Sequence, residues 1–283
     1  MGSGTHAQAV TSELRQWIAA QRAAGCAAED IAAAMHASGW AEPVARAALL
    51  EAQEPVRDDA APRAAAALPG PELAAGGNAV ELGGRDVPVL MALRNPRVLL
   101  FGNLLSDEEC DALMAQARPR LARSQTVDNR SGGSEVNAAR TSDGMFFERG
   151  ESELIRRIEQ RIAQLLRWPA DHGEGLQVLR YRQGAQYRPH YDYFDPAQPG
   201  TAAVLQRGGQ RLATLIMYLC TPRRGGATIF PDAGLEVAPV KGHAVFFSYD
   251  RPSESTRTLH GGAPVEDGEK WVATKWLRER VFN

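Results

Sequence analysis

His190 and Asp192, in the run Tyr187-Arg-Pro-His-Tyr-Asp-Tyr-Phe194, have the spacing that offers chemistry most directly. Side chains two residues apart on a strand leave on the same side, so an imidazole and a carboxylate would converge there. Two histidines and one carboxylate form a facial triad that leaves open positions on iron(II) for substrate and oxygen. Of the six histidines, His260, followed by Gly261-Gly262, is the candidate third ligand. Taken alone, the H-x-D pair is a weak signal and reads more readily as a solvated or satisfied polar pair. Lys270 adds weight to the chemical reading. A Glu266-Asp-Gly-Glu269 turn separates it from His260, and a hairpin-like return would bring both to one cavity. From Lys270 onward, Val272, Thr274 and Trp276 alternate onto the same face. A buried lysine beside a metal needs an anionic partner, and a dicarboxylate co-substrate would supply one.

Rival arrangements are weaker. His172-Gly-Glu174 also has the H-x-acid form, but it lies among Pro169, Gly173 and Gly175 with no strand period and reads as a loop. His243 opens a strand after Lys241-Gly242 and reads as a packing or surface residue. The pairs Gly208-Gly209 and Gly225-Gly226 lack the Lys-Ser/Thr of a phosphate loop, which excludes nucleotide binding of that type.

The elements that must position these residues follow from periodicity. Leu176–Tyr181, Leu212–Leu219, Val245–Tyr249 and Trp271–Leu277 are rich in Val, Tyr, Phe, Thr and Trp and are separated by Gly/Pro/Asp clusters, so they read as strands. Before them, Val98–Phe101 reads as a short strand. Ser106 with Glu109 forms a capping box that starts a helix. Leu154, Ile155, Ile158, Ile162, Leu165 and Leu166 make an amphipathic stripe that ends at Trp168-Pro169. Helices followed by short strands predict an α+β protein, a closed β architecture buttressed by helices.

Residues 1–53 read as a small helical module. Leu14, Trp17, Ile18 and Gln21 share one helical face, Ile31 and Met35 begin a second stripe, and Pro43 suits the first turn of a third helix carrying Val44, Ala48 and Leu49. The Gly39-Trp40 turn between helices resembles ubiquitin-associated-like three-helix modules. Such a module would recruit a protein partner or dimerise. Residues 54–86, with Pro55, Pro62, Pro69, Pro71 and an alanine tract, read as a linker, and 87–283 as one mixed domain.

Composition excludes several classes. The chain has 283 residues and a formal charge of −2, without the basic excess of a nucleic-acid binder. Its longest strongly apolar run, Leu212–Cys220, is far short of a membrane span, and no basic-then-apolar leader opens it. Cys26, Cys110 and Cys220 are odd in number and widely spaced, which fits a reducing, cytoplasmic setting.

From about Asn95 to Phe282 the chain resembles the catalytic domain of prolyl 4-hydroxylases, iron(II)- and 2-oxoglutarate-dependent dioxygenases. The resemblance is carried by Leu104–Cys110, Arg140-Thr-Ser142, Tyr181 through Phe194, Arg211–Leu219, Gly225-Gly-Ala-Thr-Ile-Phe-Pro231, and His260-Gly-Gly through Lys270–Trp276. It implies a double-stranded β-helix (jelly-roll, cupin-like) with the metal inside the barrel. It also implies His190, Asp192 and His260 as iron ligands and Lys270 as partner of the distal carboxylate of 2-oxoglutarate, with Tyr181 and Thr214 contacting that co-substrate and Trp276 packing nearby. Arg140 and Tyr187 would meet the peptide. By composition alone, Gly/Ser-rich residues 128–136 suit a flap over the site, and 195–210 is a second loop suited to lid duty. The implied reaction is C4 hydroxylation of proline in a peptide or protein, using O2 and supported by ascorbate, with succinate and CO2 released. Other substrates remain open: a free amino acid, another side chain or a biosynthetic peptide. A reading of a different class is a non-catalytic sensor that binds metal and 2-oxoglutarate. Ala227 departs from the family, whose members often carry an acidic residue after the Gly-Gly pair.

Overall fold

The computed structural model describes residues 14, 17, 18, 21, 26–51, 68–73, 77–82, 84–124, 126–127, 133–135 and 138–283. The chain divides into two compact units, Met1–Ala66 and Ala67–Asn283. In the first, helices span Ala28–Ala37 and Glu42–Glu51. Gly39, at φ +85°, makes the turn after the first of them, a conformation that a side chain would strain. Leu14, Ile18, Ile31, Met35, Ala45 and Ala48 form its small buried core, with Trp40 and Leu49 packed against it. Most of the helix expected around Leu14–Gln21 lies outside the described residues.

The second unit runs β1 (Ala79–Leu82), β2 (Arg85–Leu93), β3 (Arg97–Phe101), the helix Asp107–Ala117, β4 (Ala122–Arg123), β5 (Thr126–Val127), β6 (Ser134–Glu135), β7 (Asp143–Phe147) and the helix Glu153–Leu166. It continues with β8 (Leu176–Tyr181), β9 (Tyr187–His190), the helix Thr201–Gln206, β10 (Arg211–Tyr218), β11 (Arg224–Gly225), β12 (Thr228–Phe230) and β13 (Leu235–Val237). It closes with β14 (Ala244–Ser248), β15 (His260–Gly262), β16 (Val265–Asp267) and β17 (Lys270–Arg278). A nine-stranded sheet has the order β1-β2-β3-β14-β10-β17-β8-β7-β4, and a four-stranded sheet the order β13-β12-β15-β9. Residues of both sheets share one buried cluster, among them Tyr181, Tyr218, Phe230, Val237 and Phe247. This is the double-stranded β-helix.

The two long helices cover the outer face of the large sheet. Ile155, Ile158, Ile162 and Leu165 of the Glu153–Leu166 helix share a core with Trp271, Ala273 and Leu277 of β17. The capping box at Ser106 forms as expected, with Glu109 Oε2 also accepting from Arg161 at 2.7 Å. Burial would raise the Glu109 carboxyl, but Arg161, the Ser106 N–H and Arg157 bring it down to about 2. All nine residues of β17 are buried. A strand with both faces covered carries apolar residues on each side, and β17 adds polar groups for specific partners. Its Lys270-Val272-Thr274-Trp276 face lines the barrel interior, and its Trp271-Ala273-Lys275-Leu277 face meets the helices.

Two boundaries differ from the sequence reading. The stretch expected to be a linker through residue 86 already contains β1 and the start of β2, antiparallel partners whose Val80 pairs with Val87. The run Ala79-Val-Glu-Leu is too short to stand out as a strand until it is paired. Within 195–210, expected as a loop, Thr201–Gln206 is helical and tied back by Thr201 Oγ1 donating to the Asp195 carbonyl at 2.6 Å. The expected flap at 128–136 falls largely outside the described residues. No helix among the described residues is long and apolar enough to cross a membrane.

Candidate active site

β9 and β15 pair antiparallel with His190 and His260 as register partners, their ring centroids 4.4 Å apart. Asp192 lies beyond the end of β9 rather than within it, so the strand period invoked for the H-x-D pair does not operate. The chain turns after His190 and the convergence survives. Asp192 Oδ1 is 3.5 Å from His190 Nε2, and Oδ2 is 3.4 Å from His260 Nε2. One ligand atom from each of the three residues lies within 4.8 Å of the others, a set able to hold a metal ion.

Both imidazoles are oriented by the backbone. His190 Nδ1 is 3.0 Å from the Arg188 carbonyl, and His260 Nδ1 is 3.0 Å from the Thr258 carbonyl. A carbonyl only accepts, so each Nδ1 carries the proton and each Nε2 presents its lone pair to the cluster. Burial pushes the His260 imidazole down to about 4, against the attraction of Asp192, which keeps it neutral and able to ligate. Burial alone would raise the Asp192 carboxyl, yet His260, His190 and Arg211 hold it well below the usual carboxylate range.

His260 and Lys270 share one chamber, but not through the hairpin that the sequence suggested. β15 belongs to the small sheet and β17 to the large one, and the two residues face each other across the barrel. The chamber between them is lined by Tyr181, Leu179, Ile216, Thr228, Val272 and Lys270, with the triad at its other end. Lys270 is 4% exposed and enters none of the ion pairs among the described residues. Its Nζ lies 5.7 and 5.8 Å from the ring centroids of Tyr181 and Tyr218. Burial pushes its amine down to about 7. A buried cation without a counter-charge is unfavourable, so the chamber is built for an anion.

Thr214 corrects the sequence reading. Its hydroxyl does not line this chamber but donates to Asp192 Oδ2 at 2.7 Å. Thr228 takes the expected place beside Lys270, and its Oγ1 accepts from Tyr218 Oη at 2.8 Å. With that lone pair used, the Thr228 proton is free for a ligand. The sequence signal for Thr228 is the run Thr228-Ile-Phe230, in which Thr228 and Phe230 are buried on one face and Ile229 less so. Ala227 lies between Gly226 and Thr228, and its carbonyl accepts from the Ala263 N–H at 2.9 Å.

The triad opens onto a cleft of about 1210 Å³. Tyr187 stacks on His190 at 3.7 Å and lies beneath the Arg140 guanidinium at 4.9 Å. Burial pushes the Tyr187 phenol up to about 12. Arg140 is buried and donates to Gln177 Oε1 at 2.9 Å. Trp276 spans chamber and cleft, with the Arg211 guanidinium 4.1 Å from its ring centroid. Arg211 is held bidentately by Glu174, at 2.7 and 3.0 Å, and Glu174 also accepts from Arg278 at 2.9 Å. Glu174, set aside in the loop reading of His172-Gly-Glu174, is thus a structural anchor of the cleft wall.

The 2OG-Fe(II) oxygenase superfamily model matches residues 176–278. The Probable prolyl 4-hydroxylase 3 of Arabidopsis thaliana is 42% identical over 204 residues, 64% of this chain and 69% of that protein. The Prolyl 4-hydroxylase 1 of the same plant is 43% identical over 205 residues, 66% of this chain and 70% of that protein. The chain belongs to the prolyl 4-hydroxylase family. A solved viral collagen prolyl hydroxylase of Paramecium Bursaria Chlorella virus-1, in complex with 2OG, is 33% identical, covers 64% of this chain and 95% of its own, and superposes with a TM-score of 0.49. The iron(II) and 2-oxoglutarate of the family fit the residues present. Two imidazoles and a carboxylate suit a divalent first-row metal, and the uncompensated Lys270 suits a carboxylate.

Proposed function

We propose that this chain hydroxylates C4 of proline in a peptide or protein, with iron(II) held by His190, Asp192 and His260 and 2-oxoglutarate held by Lys270. The observation that carries this reading is the buried, uncompensated Lys270 facing two imidazoles and a carboxylate across one chamber. When bound, the iron, 2-oxoglutarate and O2 supply the oxidising power that removes hydrogen from C4 and delivers oxygen, with succinate and CO2 as co-products.

The chain's own residues do the positioning. Lys270 and the Thr228 hydroxyl together bind the distal carboxylate, and Leu179, Ile216 and Val272 wall the methylenes and exclude water. Tyr181 closes the same wall. The register of His190 against His260 would hold their two ring nitrogens at one place beside the cleft, which His190 and Asp192 line. There Tyr187 and Arg140 form the face against which a proline ring would pack, and Trp276 separates the two compartments. An extended, proline-containing backbone fits this open cleft better than a free amino acid, which would leave most of its about 1210 Å³ unfilled.

The test is succinate formation by the purified chain with iron(II), ascorbate and 2-oxoglutarate, with and without a proline-rich peptide. The expected result is peptide-stimulated succinate that is lost in His260→Ala, with the peptide gaining one oxygen atom as 4-hydroxyproline. Triad-dependent succinate with no response to any proline peptide would redirect the substrate assignment. Metal and 2-oxoglutarate binding without turnover, once substrate had been supplied as whole-cell protein, would favour a sensor.

A further inference from the structure

Behind the triad, on the side away from the cleft, lies a second polar arrangement that the ligand set does not require. Thr214 Oγ1 is 2.7 Å from Asp192 Oδ2, and Tyr249 Oη is 3.0 Å from Thr214 Oγ1. Asp192 is 6%, Thr214 0% and Tyr249 2% exposed, so water does not complete these bonds. The direction of the chain follows from donor counting. The Thr214 hydroxyl points at Asp192 Oδ2 as donor, and a carboxylate oxygen accepts. Thr214 has one hydroxyl proton and must give it to Asp192. Tyr249 must therefore donate to Thr214. Burial, with the Asp192 charge adding to it, keeps the phenol protonated by raising it well above its ordinary value.

Three elements meet here. Thr214 is in β10, Tyr249 follows β14, and the two strands are antiparallel neighbours in which Thr214 pairs with Phe247. The Tyr249 N–H donates to the Leu212 carbonyl at 2.9 Å, fixing the backbone that carries the phenol. Asp192 lies on the turn after β9, outside any strand, and lacks the ladder hydrogen bonds that hold His190 and His260. The relay supplies from the large sheet the restraint that the turn does not.

We propose that Tyr249 is a positioning residue for the metal site, acting on Asp192 through Thr214. The directed chain Tyr249 O–H to Thr214 O–H to Asp192 Oδ2 fixes one carboxylate oxygen and leaves Oδ1 for the metal. Donors in series polarise one another, and partners behind a metal ligand are typically worth about 10–100-fold in metal affinity. This inference rests on the proposed role of the triad.

Cobalt(II) titration of the metal-free full-length chain, followed by its visible ligand-field bands, tests it without turnover. Wild type should bind in a His260-dependent manner. Thr214→Val, which keeps shape and removes the hydroxyl, should weaken binding about 10–100-fold. Tyr249→Phe should weaken it by a smaller factor and shift the bands, and Thr214→Ser should keep wild-type affinity. The double variant Thr214→Val/Tyr249→Phe should bind no worse than Thr214→Val, because the phenol acts only through the threonine. Unchanged affinity and bands in Tyr249→Phe would overturn the proposal, as would additive losses in the double variant. Cobalt binding by wild type that His260→Ala does not diminish would instead overturn the metal-site reading, and this inference with it.

Discussion

His190 and His260 are opposed residues on paired antiparallel strands, so the spacing of two metal ligands is set by a backbone ladder. The third ligand, Asp192, comes from a turn and is held from behind by side chains. Two fixed ligands and one adjustable ligand make the site depend on how closely β9 and β15 approach.

That approach depends on Gly261. A Cβ there would lie 2.8 Å from the Tyr187 carbonyl oxygen and 3.1 Å from the Pro189 nitrogen, both backbone atoms that cannot rotate away. Gly261→Ala is therefore expected to push β15 from β9 and separate the two imidazoles. The measurement is cobalt(II) or iron(II) affinity of the metal-free chain, with a loss of about 10-fold or more expected from displaced ligation. Circular dichroism should show the fold retained.

Lys270 contributes function at the expense of stability. Its folded-state amine is pushed down to about 7, whereas unfolded chain would titrate near the ordinary 10.5. Between these values the unfolded state binds more protons, so the ligand-free protein should gain stability as pH rises from 7 towards 10. Lys270→Met should abolish that rise and increase the urea midpoint at pH 7, while losing 2-oxoglutarate binding. In wild type the bound dianion should draw a proton onto the amine. Calorimetry in buffers of different ionisation enthalpy should record proton uptake on binding, and affinity should fall as pH rises above 7. Proton-neutral binding would contradict the Lys270–carboxylate contact.

Tyr218 and Thr228 form a donor chain resembling the one behind Asp192. Because Tyr218 donates to Thr228, removal of the phenol frees the threonine to turn its own proton elsewhere. Thr228→Val should raise the KM for 2-oxoglutarate about 10-fold, the cost of one charge-assisted hydrogen bond. Tyr218→Phe should raise it less, with the KM for peptide unchanged in both. An equal effect on both substrates would show a general disturbance of the barrel.

A polar residue is legible in the sequence where its neighbours in the chain share its environment. Lys270 begins a long buried strand, so its inward direction follows from period, whereas His190 and His260 sit on short strands and meet only through a pairing that shifts register. Lys270, Val272, Thr274 and Trp276 do share one face. Thr214 was assigned to the wrong partner because period gives the side of a strand and not the depth along it. In β10 it lies four positions before Tyr218, whose partner is Thr228. Tyr249 and Glu174 were illegible for another reason: their partners, Thr214 and Arg211, come from other elements, and such pairings exist only once the sheets close. The same applies to Lys275, which alternates away from the chamber.

Lys275 is 1% exposed and donates to Glu159 Oε1 at 2.6 Å, while Glu159 Oε2 accepts from the Gly150 N–H at 2.9 Å. The pair joins β17 to the Glu153–Leu166 helix on the side opposite the active site. Burial lowers the Lys275 amine despite Glu159, so desolvation offsets much of the attraction. Breaking such a pair costs more than the pair contributes, because one charge is left uncompensated. Lys275→Met should therefore lose about 3–5 kcal/mol in urea unfolding. Replacing both residues, Lys275→Met with Glu159→Leu, should recover most of that loss, leaving mainly the Gly150 N–H without its acceptor. The Lys270 face of β17 points the other way, so the double variant should keep 2-oxoglutarate affinity within about two-fold of wild type, as expected for sites that share no partner. A double variant as unstable as Lys275→Met alone would show that the helix depends on the ionic contact and not on the apolar packing of Ile155, Ile158 and Ile162 against Trp271.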